Sequence, residues 1–204
     1  MSAAESFSIF RSATDSFVDL VGRIDPAALT GPGLGEWDLR ALIGHTSRSL
    51  ITVVSYAEQP AGEIAAARAS DYYRLIAEAF TDSGAVAERG RQAGEALGTD
   101  PVATVIDLAG QARATLARHD PGYLLTTLVG GMPLGEYLRT RIFELVVHGL
   151  DISRATGLEI ELPPAALGDA VGLAAETAAV LGHGRTALLA LTGREPLPPG
   201  FSVV

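Results

Sequence analysis

The sequence predicts an all-α protein, an up-and-down four-helix bundle with extra helices and a short helical C-terminal extension. Apolar residues recur at three- and four-residue intervals in four stretches long enough for a bundle, near residues 2–24, 38–57, 99–118 and 134–156. Residues 123–132 form an apolar run between turn residues that also fits an extended segment. We therefore expect the bundle within residues 1–158, and the extension with a proline-rich tail in residues 159–204.

Helix boundaries in the first part of the chain follow from capping residues. Ser2 and Glu5 have the spacing of a capping box, and the residue before Pro26 is pushed out of the helical region. The glycine-rich loop 31–35 lacks the spacing of a dinucleotide-binding loop, so we interpret it as a turn. Asp38 is placed to cap the second helix. The expected buried residues of these two helices are Phe7, Phe10, Ala13, Phe17, Leu20, Val21, Ile24, Leu39, Leu42, Ile43, Leu50, Val53, Val54 and Ala57.

The middle of the chain is rich in alanine and predicts helices at 61–80 and 84–96, with few residues that could carry chemistry. Asp100 and Pro101 mark the start of the third bundle helix. His119 follows this helix in a turn sequence, so we expect it to be exposed. The expected apolar residues of these segments are Tyr72, Tyr73, Leu75, Ile76, Phe80, Val102, Val105, Ile106, Ala109, Ala112 and Leu116.

The last bundle helix is expected to end at Gly157, a residue type that is common at C-caps. Pro163 and Pro164 then begin a further helix that runs to about Leu181, and a short apolar helix covers 185–191. The expected buried face of the longer of these two helices consists of Leu167, Val171, Ala174, Ala178 and Leu181.

The composition narrows the class of function. The 204 residues are 48% hydrophobic and carry a net charge of -9 without a basic cluster, which argues against a general nucleic-acid surface. No apolar stretch reaches the roughly 20 residues of a membrane span, and the N-terminus lacks the pattern of a signal peptide. We expect a soluble cytoplasmic protein. The sequence contains no cysteine, so any thiol chemistry must use an external thiol.

One stretch places a carboxylate and an imidazole on the same face of a helix. Glu144 and His148 are neighbours across one turn, and Arg141 and Asp151 extend the same stripe. Both side chains could bind one metal ion if a third ligand came from elsewhere, and the alternative is a solvated face where they only hydrogen-bond. His45 borders the apolar stripe of the second helix, as a structural histidine does. Since metal sites in bundles form between facing helices, it is also the candidate third ligand.

Two motifs resemble a known family. Residues 37–45, Trp-Asp-Leu-Arg-Ala-Leu-Ile-Gly-His, are similar to a motif in which a tryptophan precedes a helix that carries a metal-ligand histidine. Residues 141–151, Arg-Ile-Phe-Glu-Leu-Val-Val-His-Gly-Leu-Asp, resemble the second motif, and residues 188–194 resemble the ends of short members. Together they resemble the mycothiol-dependent maleylpyruvate isomerase family, within the DinB-like superfamily of metal-binding four-helix bundles.

The resemblance implies that His45, Glu144 and His148 hold a divalent metal, usually zinc, with water at its open positions. The donor set itself, two imidazoles and a carboxylate, suits zinc, nickel or Fe(II) and leaves room for a substrate. In the family the metal activates the thiol of mycothiol, which attacks a small electrophilic substrate. Arg141 and Asp151 are expected to support the metal and cofactor site, Asp151 by orienting His148.

The isomerase of this family is expected to have a sizeable α/β C-terminal domain, whereas only residues 159–204 follow the predicted bundle. We therefore expect a more general thiol transfer or isomerisation rather than maleylpyruvate isomerisation itself. Two other hypotheses stay open. One is a metal-binding module without turnover, whose fourth ligand is His183 or Asp151. The other is a bundle that acts through association, with Leu188–Leu191 and the tail packed on a partner; a homodimer is among the arrangements that the sequence allows.

Overall fold

The predicted all-α bundle fold is confirmed. A computed structural model describes residues 3–79 and 83–204. Its helices are α1 (Ala3–Gly22), α2 (Leu39–Ala57), α3 (Ala69–Ala79), α4 (Ser83–Ala96), α5 (Pro101–Leu116), α6 (Leu134–Thr156), α7 (Pro164–Val180) and α8 (Gly184–Leu191). A short 3-10 helix, Pro26–Thr30, precedes α2, and the ambiguous apolar run forms an antiparallel hairpin of β1 (Leu124–Thr127) and β2 (Gly130–Pro133). Within the described ranges, none of the helices has the length and hydropathy needed to cross a membrane.

Four of these helices form the bundle that the sequence predicts. Both α1 and α2 pack against α5 and α6, so that the four helices enclose one core. Fully burying an aliphatic or aromatic side chain of this size contributes roughly 1.5–3 kcal/mol. The core therefore fixes α2 and α6 relative to each other. Its fully buried side chains include Phe10, Phe17, Leu20, Leu42, Leu50, Leu116, Leu138 and Ile142.

Capping residues hold the helix ends where the sequence predicts them. The Asp38 carboxylate accepts a backbone hydrogen bond of 2.7 Å in the first turn of α2, and Asp100 accepts one of 3.0 Å in the first turn of α5. Gly157 ends α6 in the left-handed conformation, with φ of 71°. Ser2 of the predicted capping box and Phe80 of the predicted third helix lie outside the described residues.

The prediction of a helix at 61–80 is wrong for its first half, because α3 begins only at Ala69. The segment before α3 pairs with the hairpin instead, as shown by the Ala65 N–H, which donates to the Gly131 carbonyl at 2.8 Å. A Cβ at Gly131 would lie 1.9 Å from the carbonyl oxygen of Glu63, so this approach requires glycine. Backbone pairing with the hairpin therefore outweighs the helix propensity of the alanines in this segment.

Two predicted buried faces are also corrected. On α7, Leu167 and Val171 are 43% and 50% exposed, and Ala166 and Ala170 are buried in their place. On α5, Ile106 is 53% exposed. The small residues of α7 allow close packing against α1, α3 and α6, while its larger residues turn away from the bundle. Val171 lines an apolar groove of about 660 Å³ between α7, α8 and the C-terminal tail.

Candidate metal centre

Two helices of the bundle bring His45, Glu144 and His148 together. His45 lies in α2, and the other two lie one turn apart in α6. One ring nitrogen of each histidine and one carboxylate oxygen lie within 4.8 Å of one another. In the part of the chain that the structure describes, no other group of three potential metal-binding side chains has this spacing. The contact between α2 and α6 therefore creates a single place where a metal could have three protein ligands.

Both ring nitrogens of His148 face carboxylates. Nε2 lies 3.3 Å from Glu144 Oε2, and Nδ1 lies 3.1 Å from Asp151 Oδ2. The side chains of His148 and Glu144 are only 15% and 21% exposed. This stripe of α6 is therefore not the freely solvated helix face that was the alternative interpretation.

Burial and neighbouring charges separate the pKa values of the cluster. Burial, and then the positive charge of His148, lower the pKa of His45 to about 4. Burial alone would raise the pKa of Glu144, but the hydrogen bond with His148 and the charge of Arg141 lower it to about 2. Burial alone would lower the pKa of His148, but its hydrogen bonds with Asp151 and Glu144 raise it to about 9. Glu144 is thus ionised and His45 neutral at pH 7, as metal binding requires, and only His148 must lose a proton.

His45 has a buried ring nitrogen without a partner. Its Nδ1 is buried and has no hydrogen-bond partner among the described residues. The Trp37 ring packs on the imidazole with 4.5 Å between centroids, and the edge of His148 approaches it at 4.9 Å. Buried polar atoms in native proteins are nearly always satisfied, and a bound metal ion would satisfy a histidine in this position. The residues present therefore fit a metal ion.

The family model described as mycothiol maleylpyruvate isomerase N-terminal domain matches residues 10–153. The chain belongs to this family. The matched range contains the whole cluster and the four bundle helices, apart from the first residues of α1 and the last residues of α6. Searches of curated proteins and of solved structures found no match to the chain. The resemblance that the two motifs indicated is confirmed.

In this member of the mycothiol maleylpyruvate isomerase family, a tyrosine that the sequence did not single out completes the surroundings of Glu144. The Tyr73 hydroxyl donates to Glu144 Oε1 at 2.9 Å and also lies 3.2 Å from the Thr140 carbonyl oxygen. Burial, and then the charge of Glu144, raise the pKa of Tyr73 well above its ordinary value, so it stays a donor. The sequence shows two adjacent tyrosines on α3, but it does not show which of them faces Glu144 on α6.

Arg141 lies beside the cluster rather than in it. The residue is 8% exposed, and its Nε donates to Thr140 Oγ1 at 3.0 Å. Its Cζ lies 5.1 Å from the centroid of the Tyr137 ring and 5.7 Å from that of Tyr72. The guanidinium therefore rests on aromatic rings, and its charge acts on Glu144 from a distance.

The remaining histidines lie elsewhere. His183 precedes α8 and packs against Phe201 in the tail, with 5.6 Å between ring centroids. Neither His183 nor Asp151, the two candidate fourth ligands, belongs to the cluster. His119, which we expected to be exposed, is half-buried against Tyr123 at 4.2 Å. Within the described residues the cluster thus has three protein ligands at most.

Proposed function

We propose that this chain is a metal-dependent enzyme that uses an external thiol, mycothiol, to transfer or isomerise a small electrophilic substrate. His45, Glu144 and His148 are its proposed metal ligands. The observation that carries the proposal is the meeting of these three side chains, within 4.8 Å, inside a domain of the mycothiol maleylpyruvate isomerase family.

The donor chemistry supports zinc as the metal, with nickel or Fe(II) as alternatives. Two imidazoles and one carboxylate are borderline ligands that suit all three ions. Catalytic zinc sites characteristically have three protein ligands and leave further positions open. The unpaired nitrogen of His45 and the ionised Glu144 support a cation at this place.

The chain's own residues would hold the ligands in position. A divalent ion bound here would lower the pKa of a thiol and so make a thiolate nucleophile available at neutral pH. Because the chain has no cysteine, that thiol comes from a small molecule. The Asp151 carboxylate accepts the Nδ1–H of His148 and so leaves Nε2 facing the cluster. The Tyr73 hydroxyl holds one oxygen of Glu144, and the Trp37 ring covers His45.

Metal analysis of protein purified without chelators or an affinity tag tests the proposal. We expect near-stoichiometric metal in the parent, and its loss in His45→Ala and in His148→Ala. His119→Ala and His183→Ala are matched controls that should keep the metal. A parent protein that is metal-free, and stays so after zinc is added, would contradict the proposed centre.

Thiol consumption tests the reaction itself. The metal-loaded parent should accelerate the reaction of mycothiol with an arylating electrophile such as chlorodinitrobenzene, and His148→Ala should lose this acceleration. Replacing mycothiol by glutathione shows whether the thiol is recognised. A protein that binds metal but consumes no thiol across a panel of electrophiles would instead be a metal-binding module without turnover.

A further inference from the structure

His45 is the one proposed ligand whose side chain is not held by a hydrogen bond to a described residue. The Asp151 carboxylate accepts a hydrogen bond from His148, and the Tyr73 hydroxyl donates one to Glu144. By contrast, His45 has no such bond to the described residues, and its Nδ1 is buried. A ligand histidine is normally oriented by a hydrogen bond to the ring nitrogen that does not bind the metal. The orientation of His45 must therefore come from packing.

The indole ring of Trp37 packs on His45. The two ring centroids are 4.5 Å apart, and the ring planes are inclined by 34°. The other aromatic ring beside His45 in the described residues belongs to His148, at 4.9 Å, which is itself a proposed ligand. In a close-packed interior, a side chain takes the position that its neighbours leave open. Trp37 is therefore the neighbour outside the ligand set that can fix the His45 ring.

The Trp37 ring lies against the backbone of α4 at Gly90. A Cβ on Gly90 would lie 2.4 Å from Cε2 of the indole, 2.5 Å from Cζ2 and 2.7 Å from Nε1. Carbon atoms in contact are about 3.5–4.0 Å apart. A methyl group at this position would therefore push the indole by roughly 1 Å, unless α4 moved away.

Contacts one turn beyond Gly90 hold α4 on α2. A Cβ on Gly94 would lie 2.8 Å from the Ala41 Cα, and a Cβ on Gly44 would lie 2.2 Å from the Gly94 nitrogen. The backbones of the two helices are therefore in direct contact. The Arg40 guanidinium adds a hydrogen bond from Nε to the Gly94 carbonyl at 2.9 Å. Since α4 is anchored to α2 here, a methyl group on Gly90 would displace the indole rather than the helix.

We propose that Gly90 is a positioning residue of the metal centre and that it acts on His45 through the Trp37 ring. This inference rests on the proposed function, because it concerns a ligand of the proposed metal ion. The bare backbone at Gly90 allows the indole to lie between α4 and His45, where it replaces the hydrogen bond that the other ligands have. A segment with few residues that could carry chemistry thus helps to build the site.

Zinc titration against a chromophoric chelator tests this inference on the whole chain. Gly90→Ala should lower zinc affinity at least about 10-fold, the effect typical of losing a group that orients a metal ligand. Gly110→Ala is the matched control, since it adds the same methyl group at an exposed position of α5 where a Cβ would have no atom within 4 Å. It should bind zinc as the parent does.

The parent and the control separate this inference from the proposed function. If the parent binds zinc and Gly90→Ala binds it equally well, the inference is overturned and the metal centre stands. If the parent binds no zinc, the metal centre is overturned and the inference falls with it.

Fluorescence shows whether the effect passes through Trp37, because the chain has a single tryptophan. In chelator-treated protein, the emission maximum of Gly90→Ala should differ from that of the parent, and the emission maximum of Gly110→Ala should not. A loss of zinc affinity in Gly90→Ala with unchanged emission would overturn the inference, since the indole would not have moved.

A smaller ring should compensate for the added methyl group. Trp37→Phe alone should lower zinc affinity, because the ring that packs on His45 is shortened while α4 is unaltered. The double variant Gly90→Ala/Trp37→Phe should bind zinc more tightly than Gly90→Ala, because two contacting residues are not additive. Parent-like affinity in Trp37→Phe would overturn the inference whether or not Gly90→Ala folds, and so would losses that simply add in the double variant.

Discussion

Two arginines on α6 are both largely buried, yet only one has carboxylate partners. Arg139 is 11% exposed at its side chain, and its guanidinium lies 2.9 Å from Asp169 and 3.0 Å from Glu176, both on α7. A third carboxylate, that of Glu136, lies 3.5 Å away on the same helix. Arg141, two positions further along, has no such partner among the described residues.

One helix therefore carries two buried arginines in different electrostatic surroundings. Residues two positions apart on an α-helix point in directions about 200° apart, so Arg139 and Arg141 face different neighbours. The first faces α7, where its ion pairs join two helices of the fold. The guanidinium of the second rests on the Tyr72 ring of α3 and on the Tyr137 ring of α6 itself. Removing one partner of a buried ion pair is destabilising, because it leaves the other charge buried and uncompensated.

Replacing Arg139 should reduce the stability of the fold more than any other change considered below. Arg139→Gln leaves Asp169, only 6% exposed at its side chain, without its cation. Removing one partner of a buried ion pair costs about 3–5 kcal/mol, which corresponds to a melting temperature lower by about 10 °C in a chain of this size. Thermal unfolding followed by circular dichroism measures it, with Arg154→Gln as the exposed control. A change as small as that of the control would show that the ion pairs do not hold α7 on α6.

Between pH 4 and pH 9, the pH dependence of stability should arise from the two histidines of the cluster, His45 and His148. In metal-free protein the pKa of His148 is raised from 6.5 to about 9, so its stabilising effect is complete below pH 6.5 and is lost as the pH rises through 9. The pKa of His45 is lowered to about 4, so stability is also lost as the pH falls from 6.5 towards 4. We expect the melting temperature of chelator-treated protein to be highest near pH 6.5.

Histidine variants separate the acid decline in melting temperature from the alkaline decline. His148→Ala should flatten the decline above pH 6.5, and His45→Ala should flatten the decline below it. Arg139→Gln should lower the whole curve and change its shape only at acid pH, where the Asp169 carboxyl beside Arg139, whose pKa is raised by burial, takes up a proton. An alkaline decline that persists unchanged in His148→Ala would assign the effect to another group.

Asp151 should affect metal affinity without affecting the fold. Its carboxylate faces His148 Nδ1 at 3.1 Å, and loss of such a partner typically weakens metal binding 10–100-fold, or by about 1.4–2.7 kcal/mol. Competition titration of zinc against a chromophoric chelator measures the effect in Asp151→Ala. Asp19→Ala is the control, since that carboxylate is 66% exposed on α1. Equal zinc affinity in the two variants would remove Asp151 from the site.

Much of the fold could be predicted from local signals. The caps at Asp38, Asp100 and Gly157 and the apolar repeats of the four bundle helices act within one helix, so the sequence alone contains them. The shared face of Glu144 and His148 follows in the same way from their spacing on one helix. The division of the chain at residue 158 stays a prediction.

The features that the sequence did not predict depend on contacts between distant segments. The spacing of residues along a single sequence does not show these contacts. The segment before α3 forms hydrogen bonds with the hairpin, and this pairing depends on Gly131, 66 positions after Ala65. The inward face of α7 depends on which helices pack against it, and Leu167 lies on the wrong side for the predicted face. The contrast between Arg139 and Arg141 depends on the same kind of packing, because the first binds carboxylates of α7 and the second packs on a ring of α3.

Loss of the Tyr73 hydroxyl should change zinc affinity only slightly, and it tests whether α3 helps to position Glu144. Tyr73→Phe removes the hydroxyl that donates to Glu144 Oε1 but keeps the ring, which packs on Phe143 at 5.5 Å between centroids. Zinc binding should therefore become less favourable by about 1 kcal/mol, which is the usual net contribution of one hydrogen bond. Tyr72→Phe is the matched control, because Tyr72 is equally buried on α3 and makes no hydrogen bond to Glu144. Equal zinc affinity in both variants would show that Tyr73 acts by packing, and that its hydroxyl on α3 does not help to position Glu144.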